Sequence, residues 1–424
     1  MSVRITWLRL EERLEHEFRQ LREEGIDATD LEQQWANLPL ETRAAEAGRL
    51  LDEAGRLTAH VAETEPLFDA GVNLEKYDLQ KCLTAAWTGR MAGCLLGKPV
   101  EKVTRVGIRA ILESNNRYPL NDYFTSVGVP DELLELHPWN KDSRATSLQE
   151  NMICMPEDDD INYTMLNLHV LEMAGVTFST DDVAKAWLEM LPVLTVFTAE
   201  RVAYFNLLEY REAPQTATYR NPYREWIGAQ IRADIFGWVS PSNPARAAAL
   251  AWRDARLSHT GNGLYAEMFV AAMAAAAFDL TSPRAVIEAG LAVIPKDSRL
   301  AEAIMFTLTL PDLEPDWEKA VDQLYAQFGH YHWVHAINNA ALVAAALLYG
   351  QGDFSRSICL AVSGGWDTDC NGATVGSIVG IMTQSIPERW SKPLNNHVRS
   401  SLRGFDYSTI DSLVARTLAV MKDL

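Results

Sequence analysis

The chain has 424 residues, of which 48% are hydrophobic and 22% charged, and its 57 Asp and Glu against 38 Lys and Arg give a net charge of −19. That composition describes a globular protein able to bury a large core, and it excludes nucleic-acid binding through a basic surface. Its five cysteines (Cys82, Cys94, Cys154, Cys359, Cys370) have no CxxC spacing, so neither a zinc cluster nor a disulfide framework is indicated, and without a signal-peptide pattern or a membrane-length apolar run the expectation is a cytoplasmic protein away from the membrane.

Residues 1–65 read as charged, amphipathic helix. Trp7, Leu8, Leu10, Leu14 and Phe18 recur at helical spacing, Gly25 stops the first helix, and Thr29 or Asp30 caps a restart. A second helix is expected through Ala44 to Ala62. The segment carries no chemical motif, so it is expected to pack and to stay outside any active site. The division drawn is an N-terminal helical extension, 1–75, and a main domain, 76–424.

Lys81 to Val100 reads as a helix with Gly89, Gly93 and Gly97 at every fourth position. Pro99 ends it and Glu101 follows at once. Residues 111–156 lose periodicity and gather Tyr118, Tyr123, Phe124 and Trp139 among prolines, as binding loops and lids do. That stretch ends at Glu157-Asp158-Asp159-Asp160, three aspartates at the start of a helix running to Ala174. A charge run is usually a solvated face. Here Met152, Ile153 and Met155 precede it and Ile161 follows, which is unusual for one.

Helices are expected at 181–191 and 198–210. A second aromatic loop spans 213–243, with Tyr219, Arg220, Tyr223, Arg224, Trp226 and Arg232, offering a stacking face for a base and an arginine for a phosphate. Ser258-His259 opens an alanine-rich helix, either as a substrate contact or as a cap beside a packed histidine. The remaining segments, 284–293, 298–308, 316–328, 336–349, 354–362, 372–383 and 408–421, are helical in period, and no alternating strand pattern stands out. The fold class expected is all-α, one large orthogonal helical bundle.

The most informative stretch is Gly364-Gly365-Trp366-Asp367-Thr368-Asp369-Cys370-Asn371-Gly372. Two carboxylates fixed on a turn before a helix make a plausible half-site for a hard divalent cation, though an ordinary Asp N-cap would look the same. The helix that follows carries Gly372, Gly376 and Gly380, a second four-residue glycine stripe. Two such stripes suggest a close central helix pair.

Taken together, these motifs make the sequence resemble the ADP-ribosylglycohydrolase family over roughly residues 80–385. Gly364-Gly365-Trp366-Asp367-Thr368-Asp369 resembles the family's Gly-Gly-Asp-Thr-Asp-Thr pattern with Trp366 inserted, and Asp158-Asp159-Asp160 resembles its Thr-Asp-Asp. The resemblance implies an all-α hydrolase with two Mg²⁺ or Mn²⁺ ions in a central cleft, cleaving the anomeric bond of ADP-ribose. It places Asp158, Asp159, Asp160, Asp367 and Asp369 on metal positions. Asp159, Asp160 and Glu101 become the candidate catalytic carboxylates, and Ser258, His259, Gly364, Gly365, Trp366 and Arg232 the candidate substrate contacts. Cys370 and Ile161 replace family threonines, and a thiol is a poor Mg²⁺ ligand. The substrate implied is an ADP-ribosylated protein or small molecule. The alternatives are a hydrolase of another N- or O-ribosyl metabolite or nucleoside, and a silent ADP-ribose-binding protein. If 118–139 and 219–238 fold over the cleft, they would favour a small substrate, with Arg220, Arg224 or Arg232 on a phosphate.

Overall fold

The computed structural model describes residues 5–58, 64–67 and 71–422. Regular structure among them is almost entirely helical. The one sheet among the described residues is a two-residue antiparallel pair, His397–Val398 against Ser408–Thr409. The all-α expectation holds.

Two helices, Leu79–Gly97 and Thr368–Thr383, form the centre and lie antiparallel. The glycine stripes explain their closeness. A Cβ built on Gly89 would sit 2.3 Å from the carbonyl oxygen of Gly376, one on Gly93 1.9 Å from that of Gly372, and one on Gly380 2.5 Å from that of Ala85. Backbone therefore packs on backbone, and no side chain fits between. The pairing suggested by the two stripes is the one observed.

The antiparallel arrangement has a direct consequence for placement. The C-terminal end of the first helix meets the N-terminal end of the second, where the Thr368 hydroxyl donates to the Gly97 carbonyl at 2.9 Å. Whatever follows Gly97 therefore faces whatever precedes Thr368. Around this pair pack Gly261–Ala276, Ala336–Gly350, Phe354–Ser363 and Ile410–Lys422, with alanine-rich faces that permit close layering.

The N-terminal segment has its own small core, built from Leu14, Phe18, Leu21, Trp35, Leu50 and Leu51. It contains three helices, Leu10–Glu23, Thr29–Asn37 and Leu40–Ala54, rather than the two expected. Pro39 causes the difference: it holds Leu38 extended (φ −72°, ψ 134°), so the chain restarts at Leu40. Residues 59–62 of the expected second helix lie outside the described residues. Charged groups dock this unit on the body. Arg224 reaches Glu17 at 2.9 Å and Glu24 at 2.9 Å, Arg220 reaches Asp52 at 2.6 Å, and the Gln20 amide donates to Glu225 at 2.8 Å.

The long irregular region 111–156 contains only short helices, Asp131–Leu136 and Arg144–Ser147, beyond the end of Arg105–Ser114. Three of its aromatic residues are core: Tyr123 packs edge-on against Trp390 and Phe124 against Trp139, all buried, while Tyr118 is half-buried and donates to Glu318 at 2.9 Å. One helix the periodicity missed, Pro244–Ala255, carries clear start signals. The Asn243 side chain caps it and Pro244 fills its first turn.

Candidate functional site

The acids reach one place by three routes. Asp159 and Asp160 open the helix Asp159–Ala174, and Asp158 caps it, its Oδ1 accepting the Asp160 backbone N–H at 2.9 Å. Asp367 precedes and Asp369 opens the second central helix. Asp367 stands at the N-cap position but makes no side-chain cap bond, which leaves its carboxylate for other partners. Its backbone is fixed instead by Asn339, whose Oδ1 accepts the Asp367 N–H at 3.1 Å and the Asn371 amide at 2.8 Å. The turn Lys98–Val100 brings Lys98 and Glu101 from the end of the first central helix, and the Asn140 amide donates to Glu101.

Two groups of potential ligand atoms result, one from Cys94, Asp158 and Asp160 and one from Asp367, Asp369 and Cys370. Within each group the atoms lie within 4.8 Å of one another. Burial, then the neighbouring acids, pushes the carboxyls of Asp159, Asp160 and Asp367 well above the carboxylate range. The same causes raise Asp369 to about 7. Asp158 behaves differently. Burial opposes its ionisation, but the Lys98 ammonium against it overcomes that and pulls the carboxyl below its ordinary value. Asp369 Oδ1 is buried with no hydrogen-bond partner. An unpartnered carboxylate oxygen among other carboxylates is a position that suits a hard divalent cation. Cys370 does not suit one: its thiol donates to Asp160 Oδ2 at 3.2 Å, and burial with Asp160 nearby holds it protonated.

Asp158, Asp159, Asp367, Asp369 and Glu101 open into one cavity of about 390 Å³, within the range for small-molecule sites. Aromatic side chains line it as well. Trp226 and His332 stack with ring centroids 4.1 Å apart, Trp7 meets Trp226 edge-on at 6.1 Å, and Phe197 and Trp333 complete the surface. Trp7 belongs to the N-terminal segment, so the expectation that 1–65 stays out of the site gives way. Both lysines on the wall are already paired, Lys98 with Asp158 and Lys102 with Glu101 at 3.1 Å.

The profile of the ADP-ribosylglycohydrolase family matches residues 75–423, most of the chain. The chain belongs to that family. A solved structure described as an "ADP-ribosylglycohydrolase-related protein complex" is similar in fold, with TM-score 0.50 and 18% identity, covering 81% of this chain and 98% of that one. Among curated proteins none matches.

Several residues named from the sequence lie elsewhere. Arg232 is wholly buried and lines no part of the cavity. It pairs with Asp254, with Glu200 at 3.0 Å, and donates to the Ser258 hydroxyl at 2.9 Å. Ser258 in turn lies 2.8 Å from His259 Nδ1, and neither reaches the cavity. A buried guanidinium must be paired, and these residues form its pairing shell. Gly364, Gly365 and Trp366 make the turn before Asp367 without lining the cavity. The extra residue relative to the family pattern is absorbed by left-handed backbone at Gly365 (φ 84°) and Trp366 (φ 54°). This turns the Trp366 ring away to stack on Tyr325 at 4.3 Å. Arg220 and Arg224 hold the N-terminal segment and are not free for a phosphate. Asp160, expected as a catalytic carboxylate, is fully buried behind the cavity, its Oδ1 3.4 Å from Arg90.

Lys98, Trp7, Glu200 and Asn339 were not picked out from the sequence. Lys98 had a faint signal, as a lysine inside the apolar run from Leu95 to Val100. Asn339 had another, as one of two adjacent asparagines in an alanine-rich helix.

Proposed function

We propose that this family member is a metal-dependent glycohydrolase that cleaves the bond at the anomeric carbon of an ADP-ribosylated protein or small molecule. The observation that carries the reading is a single cavity lined both by the clustered carboxylates and by aromatic side chains. Asp159, Asp367, Asp369 and Glu101 are the residues that would hold Mg²⁺ or Mn²⁺. A cation bound there supplies Lewis-acid charge toward the ribose hydroxyls.

The chain's own groups support the remaining steps. Asp159 faces the cavity and has no ion pair among the described residues, so its carboxylate is placed to take a proton from an attacking water. Glu101 is oriented by the Asn140 amide and by Lys102. The water oxygen bonds to the anomeric carbon as the glycosidic bond breaks, and the leaving group takes up the proton that Asp159 removed from the water. Positive charge that develops on the ribose faces a ring of carboxylates, which stabilises an oxocarbenium-like transition state. The aromatic wall offers a face on which a base can stack and keeps that side dry.

One observation favours a second substrate reading, a small N- or O-ribosyl compound such as a nucleoside. A pyrophosphate would need a cation, and both lysines on the wall are paired with carboxylates. The deciding experiment compares ADP-ribosyl-arginine, ADP-ribosyl-serine, O-acetyl-ADP-ribose, nucleosides and an ADP-ribosylated protein, each with Mg²⁺ or Mn²⁺. Release of ribose products from none of them overturns the hydrolase reading. Turnover of nucleosides alone favours the second.

A further inference from the structure

We infer that Lys98 stands in for one divalent cation, so that this site takes a single metal ion at Asp367 and Asp369 where the family resemblance implies two. The inference rests on the metal-dependent reading above and concerns how many ions that reading requires.

The two groups of potential ligands are not equivalent. In the first, every oxygen donor already has a partner. Asp158 Oδ1 accepts the Asp160 N–H, and Asp158 Oδ2 meets the Lys98 ammonium. Asp160 Oδ1 lies 3.4 Å from Arg90, and its Oδ2 accepts the Cys370 thiol at 3.2 Å. The third member of each group, Cys94 in the first and Cys370 in the second, is a buried thiol and a poor ligand for a hard cation, so the carboxylates decide. In the second group Asp369 Oδ1 is buried and unpartnered, and no lysine or arginine pairs with Asp159, Asp367 or Asp369 among the described residues.

Lys98 sits in a cation's surroundings. Its ammonium donates to the Glu157 carbonyl at 3.1 Å and to the Asp158 carboxylate, and its side chain is only 9% exposed. The backbone that delivers it is fixed by Pro99 next to it and by the Ser143 hydroxyl, which donates to the Lys98 carbonyl at 2.7 Å. A rotation away would leave Asp158 buried and unpaired, at a cost the fold avoids. A divalent ion in the first group would therefore have to displace the ammonium, and it would find two of its ligands already neutralised. The second group has no such occupant. It is also left with uncompensated negative charge that a single ion can offset.

The test uses the full-length protein and Mn²⁺ alone. After equilibration and desalting, metal analysis should give one Mn²⁺ per wild-type chain, with the electron paramagnetic resonance signal of an isolated ion. Lys98→Met, which removes the charge and keeps the length, should raise the count to two and give a spin-coupled pair. Lys98→Arg should stay at one. Two coupled ions in the wild type overturn the inference, as does a count of one in a folded Lys98→Met. No bound ion in the wild type overturns the metal reading itself, a separate failure. If Lys98→Met does not fold, the wild-type and Lys98→Arg counts decide alone.

Discussion

Replacing Gly93 by alanine tests whether the central helix pair holds the site together. The new Cβ would lie 1.9 Å from the Gly372 carbonyl oxygen and 2.4 Å from its carbon, whereas ordinary contact begins near 3.4 Å. The helices would have to part there by about 1.5 Å, because the opposing atoms are backbone and cannot rotate aside. Overpacking of this kind costs ~1–3 kcal/mol, and a backbone-on-backbone clash belongs at the upper end. Alanine recovers ~1 kcal/mol of helix propensity, so the expected net loss is about 2 kcal/mol. The same displacement moves Lys98 and Glu101, which follow the first helix, away from Asp367 and Asp369, which begin the second. Urea unfolding followed by circular dichroism should show a lowered midpoint, and Mn²⁺ affinity should fall with it. Gly55→Ala is the control, since its Cβ meets nothing closer than 3.4 Å. A Gly93→Ala midpoint equal to the wild type, or above it, would refute the close-packing argument.

Asp369→Asn should lose divalent-ion binding by calorimetry while keeping the wild-type helical spectrum, because it removes a repelling charge from a buried cluster; equal binding in both proteins sinks the metal site. Arg224→Ala leaves Glu17 and Glu24 without their buried partner and should cost ~3–5 kcal/mol, read as earlier proteolysis of residues 1–58; an unchanged digestion pattern refutes the docking role. Trp7→Ala should raise KM for a base-containing substrate about fivefold, from ~1 kcal/mol of lost aromatic contact, with kcat nearly unchanged. Glu200 is held protonated by burial, against the pull of Arg232, with its carboxyl raised from 4.5 to about 7. Below 4.5 both folded and unfolded forms are protonated, and between 4.5 and 7 only the unfolded form ionises. Relative to Glu200→Gln the wild type should therefore lose ~3 kcal/mol of stability as pH rises through that window, and parallel stability curves would refute it.

The features legible in the sequence are those with a short repeat or a local turn. The glycine stripes follow the helical period, so their pairing partner could be named without coordinates. The clusters Asp158–Asp160 and Asp367–Asp369 announce themselves because each lies within a few residues at a helix start. Long-range charge pairing was not legible. Arg232, Ser258 and His259 look like a binding site in sequence because they are polar groups in apolar surroundings. The structure gives that pattern a different cause, a buried guanidinium surrounded by Glu200, Asp254 and Ser258. Arg220 and Arg224 misled for the same reason, since their partners Asp52, Glu17 and Glu24 lie more than 160 residues away. Trp7 reaches the cavity only because those pairs dock the N-terminal helices. No local pattern carries that information.

The buried acids fall into two neighbouring sets, and they are neutralised by different carriers. Around Arg232 stand Glu200, Asp254 and Glu267, three carboxyls for one guanidinium. One cation cannot balance three anions in a low-dielectric interior. Protons supply the rest: burial raises Glu200 to about 7, and burial together with Asp254 raises Glu267 well above the carboxylate range. In the set gathered at the two helix starts, Lys98 balances Asp158 and Arg90 contributes to Asp160, but Asp159, Asp367 and Asp369 have no such partner among the described residues. Protons would satisfy these acids too, yet they would also remove the charge that a ribosyl cation needs opposite it. A divalent ion neutralises the cluster and leaves the carboxylates ionised, which a proton cannot do. The set around Arg232, of which Glu200 lines the cavity and Asp254 and Glu267 do not, needs only neutrality and can settle for protons. The proposed hydrolysis asks the set at the helix starts for neutrality together with anionic oxygens, a demand it does not make of the set around Arg232.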